Sequence, residues 1–171
     1  QPERNGSGNR TVHNPTWANH FGSSLAISTN GPRWVTSAPR QDNGGDDTGE
    51  VFLMSWERGF ALDSSSSIVT IRGEAAGDFF GSSVVTRDDG KFIIASAPYN
   101  DTTGLDAGKI YLYEWDGHNY PDYEKVAEIG GEAAGDLFGS SLDISGNGAK
   151  FIVGAPNNSG SGQNAGRSYI Y

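Results

Sequence analysis

Apolar residues along this chain fall in short runs separated by glycine- and asparagine-rich turns, and no stretch of helical length repeats at the helical period. Lys109–Trp115 (KIYLYEW) alternates strictly. Ile110, Leu112 and Glu114 face one way, and Tyr111, Tyr113 and Trp115 the other, as on a β-strand. Ser82–Arg87 is a β-branched run, Asp88-Asp89-Gly90 a turn, and Lys91–Ala97 a second strand closed by Pro98. Thr29-Asn30-Gly31 and Gly146-Asn147-Gly148 are the matching turns. Asn-Gly and Asp-Gly between apolar runs signal hairpins because their central residues tolerate positive φ. A polar loop and a third strand follow each hairpin, at Gly49–Trp56, Gly108–Trp115 and Gly166–Tyr171. A fourth run is predicted at Ser67–Arg72 and Lys125–Ile129, with Thr11-Val12-His13 as its counterpart near the start. The pattern predicts an all-β protein with almost no helix.

The same pattern occurs three times. His20–Pro39, Phe79–Pro98 and Leu137–Pro156 align along their whole length, and their leading phenylalanines, Phe21, Phe80 and Phe138, are 59 and 58 residues apart. The second and third copies follow the same hexapeptide, GEAAGD, at Gly73–Asp78 and Gly131–Asp136. Four antiparallel strands in a repeat of this length describe a blade of a β-propeller, which buries its faces only by stacking on neighbours. The expected organisation is a tail over 1–18 carrying one donor-type strand and blades over 19–72, 73–130 and 131–171, the last lacking its outer strand.

Composition narrows the picture. The chain has 171 residues, 35% of them hydrophobic, enough for one domain with a real core. Its 25 glycines and 7 prolines supply the turns. The formal charge is −9, from 12 basic and 21 acidic side chains with no basic cluster, so a polyanion such as nucleic acid is repelled. The acidity reads as a solvated surface. Cysteine is absent, which excludes disulfides and thiolate chemistry without placing the protein in the cytosol. No run approaches the ~20 apolar residues of a membrane-spanning helix. The chain begins at Gln1 rather than Met, the mark of a processed sequence or one cut from something longer.

The repeat resembles the FG-GAP repeat of integrin α-subunit propellers. Phe138-Gly139 and Gly154-Ala155-Pro156 match the motif outright; Phe21-Gly22 with Ser37-Ala38-Pro39, and Phe80-Gly81 with Ser96-Ala97-Pro98, carry Ser for the first Gly. The GEAAGD lead-in is similar to that of secreted multi-repeat FG-GAP proteins of algae and aquatic microbes. The resemblance covers Thr11 to Tyr171 and implies propeller-type blades, with Phe21, Phe80 and Phe138 packed between them. Many such blades hold Ca²⁺ in an Asp-x-Asp-x-Asp-Gly-like loop between their first two strands. Here those loops are too short and too poor in carboxylates to encircle an ion, so no cofactor is expected. The acidic loop Asp42–Asp47, with Asp42, Asp46 and Asp47, is the remaining calcium candidate, and a solvated turn is the preferred reading. Asp101 and Asp106 form a weaker version.

Enzyme signatures are missing. There is no cysteine, and His13, His20 and His118 lie in turns or at a packing position without a nucleophile partner. The carboxylate pairs Glu74/Asp78 and Glu132/Asp136 recur with the lead-in, which fits turn capping better than catalysis. Trp56, Trp115, Tyr120 and Tyr123 offer surfaces for stacking on a sugar, but blade-edge packing accounts for them as well. Asn5, Asn9, Asn100 and Asn157 are N-glycosylation acceptors in predicted loops or the tail.

The strand count is twelve, with one orphan at the start and one vacancy at the end. Three blades are fewer than closed rings use. An open arc leaves an edge and a blade face bare at each end. Three arrangements follow: a fragment of a larger propeller, a compact three-blade monomer, or an arc completed by another chain. In the last, Arg10, Thr11, Val12 and His13 form the outer strand of a neighbour's third blade. Association in some form is expected. The reading is a non-enzymatic structural or adhesive module, extracellular or at the cell surface, that self-associates, through strand exchange, into a head-to-tail filament. The alternative is a recognition propeller binding a protein or glycan through loops on one face.

Overall fold

A computed structural model describes residues 3–4, 10–11, 19–55, 68–115 and 123–171. Among the described residues there is no helix, and hence none long and apolar enough to cross a membrane. β1 (Glu3–Arg4) and β2 (Arg10–Thr11) make a short antiparallel ladder. The rest forms three antiparallel sheets. Blade 1 is β3 (Leu25–Ile27), β4 (Arg33–Ala38), β5 (Glu50–Ser55) and β6 (Val69–Arg72), in that spatial order. Blade 2 is β7 (Val84–Thr86), β8 (Phe92–Ala97), β9 (Lys109–Trp115) and β10 (Tyr123–Gly130). Blade 3 has three strands, β11 (Ser141–Ile144), β12 (Phe151–Ala155) and β13 (Arg167–Ile170). No sheet closes on itself.

The repeat is exact in register. Leu25 pairs with Thr36, Val84 with Ala95 and Leu142 with Val153, which are equivalent positions of the three copies. The strands begin and end within a residue or two of the expected limits where they are described. β10 runs from Tyr123 to Gly130 with a bulge between Lys125 and Ala127. Trp56, Ser67, Val12 and His13 lie outside the described residues.

Blade 2 sits between the others, and β9 shows why its alternation is not an inside–outside pattern. Ile110, Tyr111, Leu112 and Tyr113 are all buried. Tyr111 and Tyr113 join Val35, Val51 and Leu53 of blade 1 in one core. Ile110 and Leu112 join Phe138, Val153 and Ala155 of blade 3 in the other. A sheet covered on both faces gains burial from every side chain of its inner strands.

Candidate functional site

Three blades have two joints, built the same way. At each, the Phe-Gly pair of one blade enters the start of the third strand of the preceding blade. Phe80 and Phe138 are each 1% exposed, and each meets the edge of an aromatic ring in its own blade, Tyr111 at 5.3 Å and Tyr169 at 5.2 Å between centroids. Such edge-to-face pairs add about 0.5–1.5 kcal/mol to burial. The backbone locks in beside them. Phe79 N–H donates to Asp47 O and Phe80 N–H to Thr48 O, both at 3.1 Å. Leu137 N–H donates to Asp106 O at 3.2 Å and Phe138 N–H to Ala107 O at 3.0 Å.

Local geometry makes this approach possible. The residue before each Phe-Gly lies in the left-handed region: His20 at φ 57°, Phe79 at 53° and Leu137 at 53°. A Cβ on Gly49 or Gly108 would collide with the backbone of Phe80 or Phe138, so only glycine admits the incoming strand. A Cβ on Gly81 would come within 2.9 Å of Ser37 Cβ, and one on Gly139 within 2.9 Å of Ser96 Cβ.

A polar latch lies below each Phe-Gly. Asp78 and Asp136 are each 3% exposed and accept from Asn100 and Asn158 Nδ2 at 2.7 Å. Blade 1 fills the same place with Asn19 and Gln41, also hydrogen-bonded. Burial pushes the Asp78 carboxyl above the ordinary range, with Asp101 and Glu74 adding to it against the Asn100 hydrogen bond. Beside the latch, Glu74 accepts from Tyr111 Oη at 3.0 Å and Lys125 Nζ at 2.9 Å. Lys109, 5% exposed, pairs with Glu74 at 3.4 Å and Glu128 at 2.9 Å. Burial alone would raise the Glu74 carboxyl; Lys125, Tyr111 and Lys109 outweigh it and hold it low. Burial also pushes the Tyr113 hydroxyl up to about 12. The recurring carboxylates of the lead-in therefore tie it to the strands and loops of its own blade.

The outer joint halves are exposed. At the blade 3 end, an open groove of about 550 Å³ is lined by Gly154, Pro156, Ala165, Gly166, Arg167 and Ser168, among others. These are the equivalents of the residues that receive Phe80 and Phe138. Ile152 and Ile170 beside it are 40% and 73% exposed. At the blade 1 end, Leu25 and Ile27 are 68% and 67% exposed. Phe21 is half-buried against Phe52 in the same edge-to-face geometry at 5.2 Å, and a Cβ on Gly22 would meet nothing within 4 Å.

The other sequence candidates are placed as follows. Asp42 Oδ1 accepts the backbone N–H of Asp47 at 2.9 Å, and Asp101 does the same for Asp106 at 2.8 Å. Asp47 reaches Arg40 at 4.0 Å. Among the described residues no three His, Cys, Asp or Glu side chains converge as metal ligands. Asn100, an expected glycan acceptor, is 4% exposed and its Nδ2, the atom a glycan would modify, donates to Asp78. Asn157 is half-buried, and Asn5 and Asn9 lie outside the described residues. Arg10 and Thr11 pair with Arg4 and Glu3, with no ladder to β13. Trp115 carries the Arg33 guanidinium 4.0 Å from its ring centre, and Tyr123 Oη donates to Gly90 O, so both act in packing. Sequence reasoning missed the Asp–Asn latch. Its signal was there: both members recur with each GEAAGD copy, 22 residues apart.

Antiparallel sheets of three or four strands joined face to face through a repeated Phe-Gly insertion define a β-propeller-type repeat module. The FG-GAP repeat family model matches residues 68–113 and 130–171, half of the chain, and the protein belongs to the FG-GAP repeat family. The first three strands of blade 1, which precede the matched residues, repeat the same register and ring contact. No curated protein matches the chain.

Proposed function

We propose that the protein is a non-catalytic structural or adhesive module, outside the cell or on its surface, that works by association with further copies of itself. The observation that supports this is the pair of unmatched end faces, with Leu25 and Ile27 exposed at one and Ile152 and Ile170 at the other. Monomeric proteins rarely leave contiguous apolar faces to water without a partner for them. The reading assigns no cofactor to the acidic side chains: Asp42 and Asp101 each bond a backbone N–H, and Glu74, Asp78 and Asp136 are held by residues of their own blades. The alternative, a propeller recognising a protein or glycan through loops on one face, is supported by membership of the FG-GAP repeat family. Electron microscopy of the purified native particle is the test. Rings or uniform filaments are expected, and discrete single chains at micromolar concentration would overturn the reading.

A further inference from the structure

We propose that the two ends of the molecule are the two halves of one joint, so that Phe21-Gly22 of a second copy seats in the Gly154–Pro156/Ala165–Ser168 groove of the first. This rests on the self-association proposed above and names its contact. The template is internal and occurs twice. Thr48, Gly49, Val51 and Leu53 receive Phe80; Ala107, Gly108, Ile110 and Leu112 receive Phe138. Ala165, Gly166, Ser168 and Ile170 are the same positions in blade 3. Gly166 keeps the left-handed conformation of Gly49 and Gly108, at φ 75° against 87° and 84°.

The backbone groups match as well. Inside the molecule, Asp47 O and Thr48 O, then Asp106 O and Ala107 O, take the N–H groups of the incoming pair. Among the described residues, no backbone N–H reaches the corresponding Asn164 O and Ala165 O. At the other end, the donors equivalent to Phe79 and Phe80 are the N–H groups of His20 and Phe21, and no backbone acceptor among the described residues takes them. His20 already holds the left-handed turn, and Gly22 N–H already bonds Ser37 O at 2.8 Å, as Gly81 bonds Ser96 O at 2.7 Å. The inserting half is thus formed before it docks. Preorganisation of both halves lowers the ordering cost of association. One receiving position is weaker: Ser168 stands where Val51 and Ile110 are buried to 1% and 0%.

The contact is head to tail, so each chain carries one inserting and one receiving end. Leu25→Asp and Ile170→Asp each disable one end, at side chains exposed enough for the fold to tolerate a charge. Sedimentation velocity of the full chain at rising concentration is the measurement, with circular dichroism as the check on folding. Wild type is expected to assemble, and each variant alone to need about tenfold or more protein to do so. An equal mixture of the two variants should give dimers, because one intact half remains on each. Ser168→Ile should shift assembly the opposite way, to about tenfold lower concentration, with an unchanged circular dichroism spectrum. If wild type assembles and all variants assemble identically, the joint is wrong while self-association stands, and exchange of the Arg10–His13 strand becomes the better account. If wild type and Ser168→Ile both stay monomeric, both proposals fall.

Discussion

Asp78 and Asp136 are almost wholly enclosed, and each has the same neutral partner, an asparagine on the loop after the second strand. Removing the partner leaves a buried carboxyl with less to bond, which costs about 1–3 kcal/mol. Asn100→Ala and Asn158→Ala should each lower the urea midpoint by that margin, whereas Asn157→Ala, which breaks no side-chain bond of this kind, should change it little. The pH dependence has a definite sign. Burial raises the folded pKa of Asp78 above the ordinary aspartate value of 3.8. Between that value and the raised one the native state binds more protons, so the contribution is full below the window and is lost as pH rises through it. Glu74 runs oppositely, its contribution present above 4.5 and lost as pH falls through its lowered folded pKa. Asp78→Asn should therefore gain stability relative to wild type as pH rises from the ordinary aspartate value of 3.8 through the raised folded pKa in urea titrations. Glycan occupancy follows from the same bond. Peptide mass spectrometry of protein secreted by a eukaryotic host should find Asn100 unmodified in the folded fraction; a glycan there in folded protein would show that the latch is dispensable.

Among the elements, the Phe-Gly strand entries carry the stacking. Phe80 is enclosed by two blades and Phe21 by one. Phe80→Ala should cost about 3–5 kcal/mol, typical of a buried aromatic, and Phe21→Ala clearly less in the isolated chain. Equal losses in chemical denaturation would contradict the joint as described. The strands, their turns and the Phe-Gly entries were legible in the sequence because their signals are local: Asn-Gly and Asp-Gly turns, β-branched runs and proline stops. The double burial of β9 was not, since Ile110 and Tyr111 alternate in the same way whether one face or both are covered. Neither was the partner of Asn100. The Asn100-Asp101-Thr102 triplet reads locally as a glycan acceptor, and only the fold brings Asp78 to its amide. The acidic loop had the converse ambiguity: its carboxylates suit an ion or a turn, and the geometry of Asp42 is that of a turn cap.

For the whole molecule, stability is a chain of nearest-neighbour joints, so the middle blade is held from both sides and each end from one. Local opening should follow that order. In hydrogen exchange of dilute protein, amides of β8 and β9 should be slowest and those of β13 among the fastest of the strand amides. β13 pairs only with β12, and Ile170 is 73% exposed. In the proposed head-to-tail joint two copies supply six blades, within the four to eight of closed rings, so assembly would end in a ring if the rotation per joint closes and continue as a filament if it does not. Either object covers the blade 3 face. Raising the protein concentration should therefore slow exchange in β12, β13 and the Ala165–Gly166 turn, together with the His20–Gly22 segment at the far end, while β8 and β9 change little. The coupling of two segments at opposite ends of one chain is the informative result. Protection appearing in β13 alone would indicate strand addition at its edge, and uniform slowing everywhere would indicate general stabilisation without a defined contact.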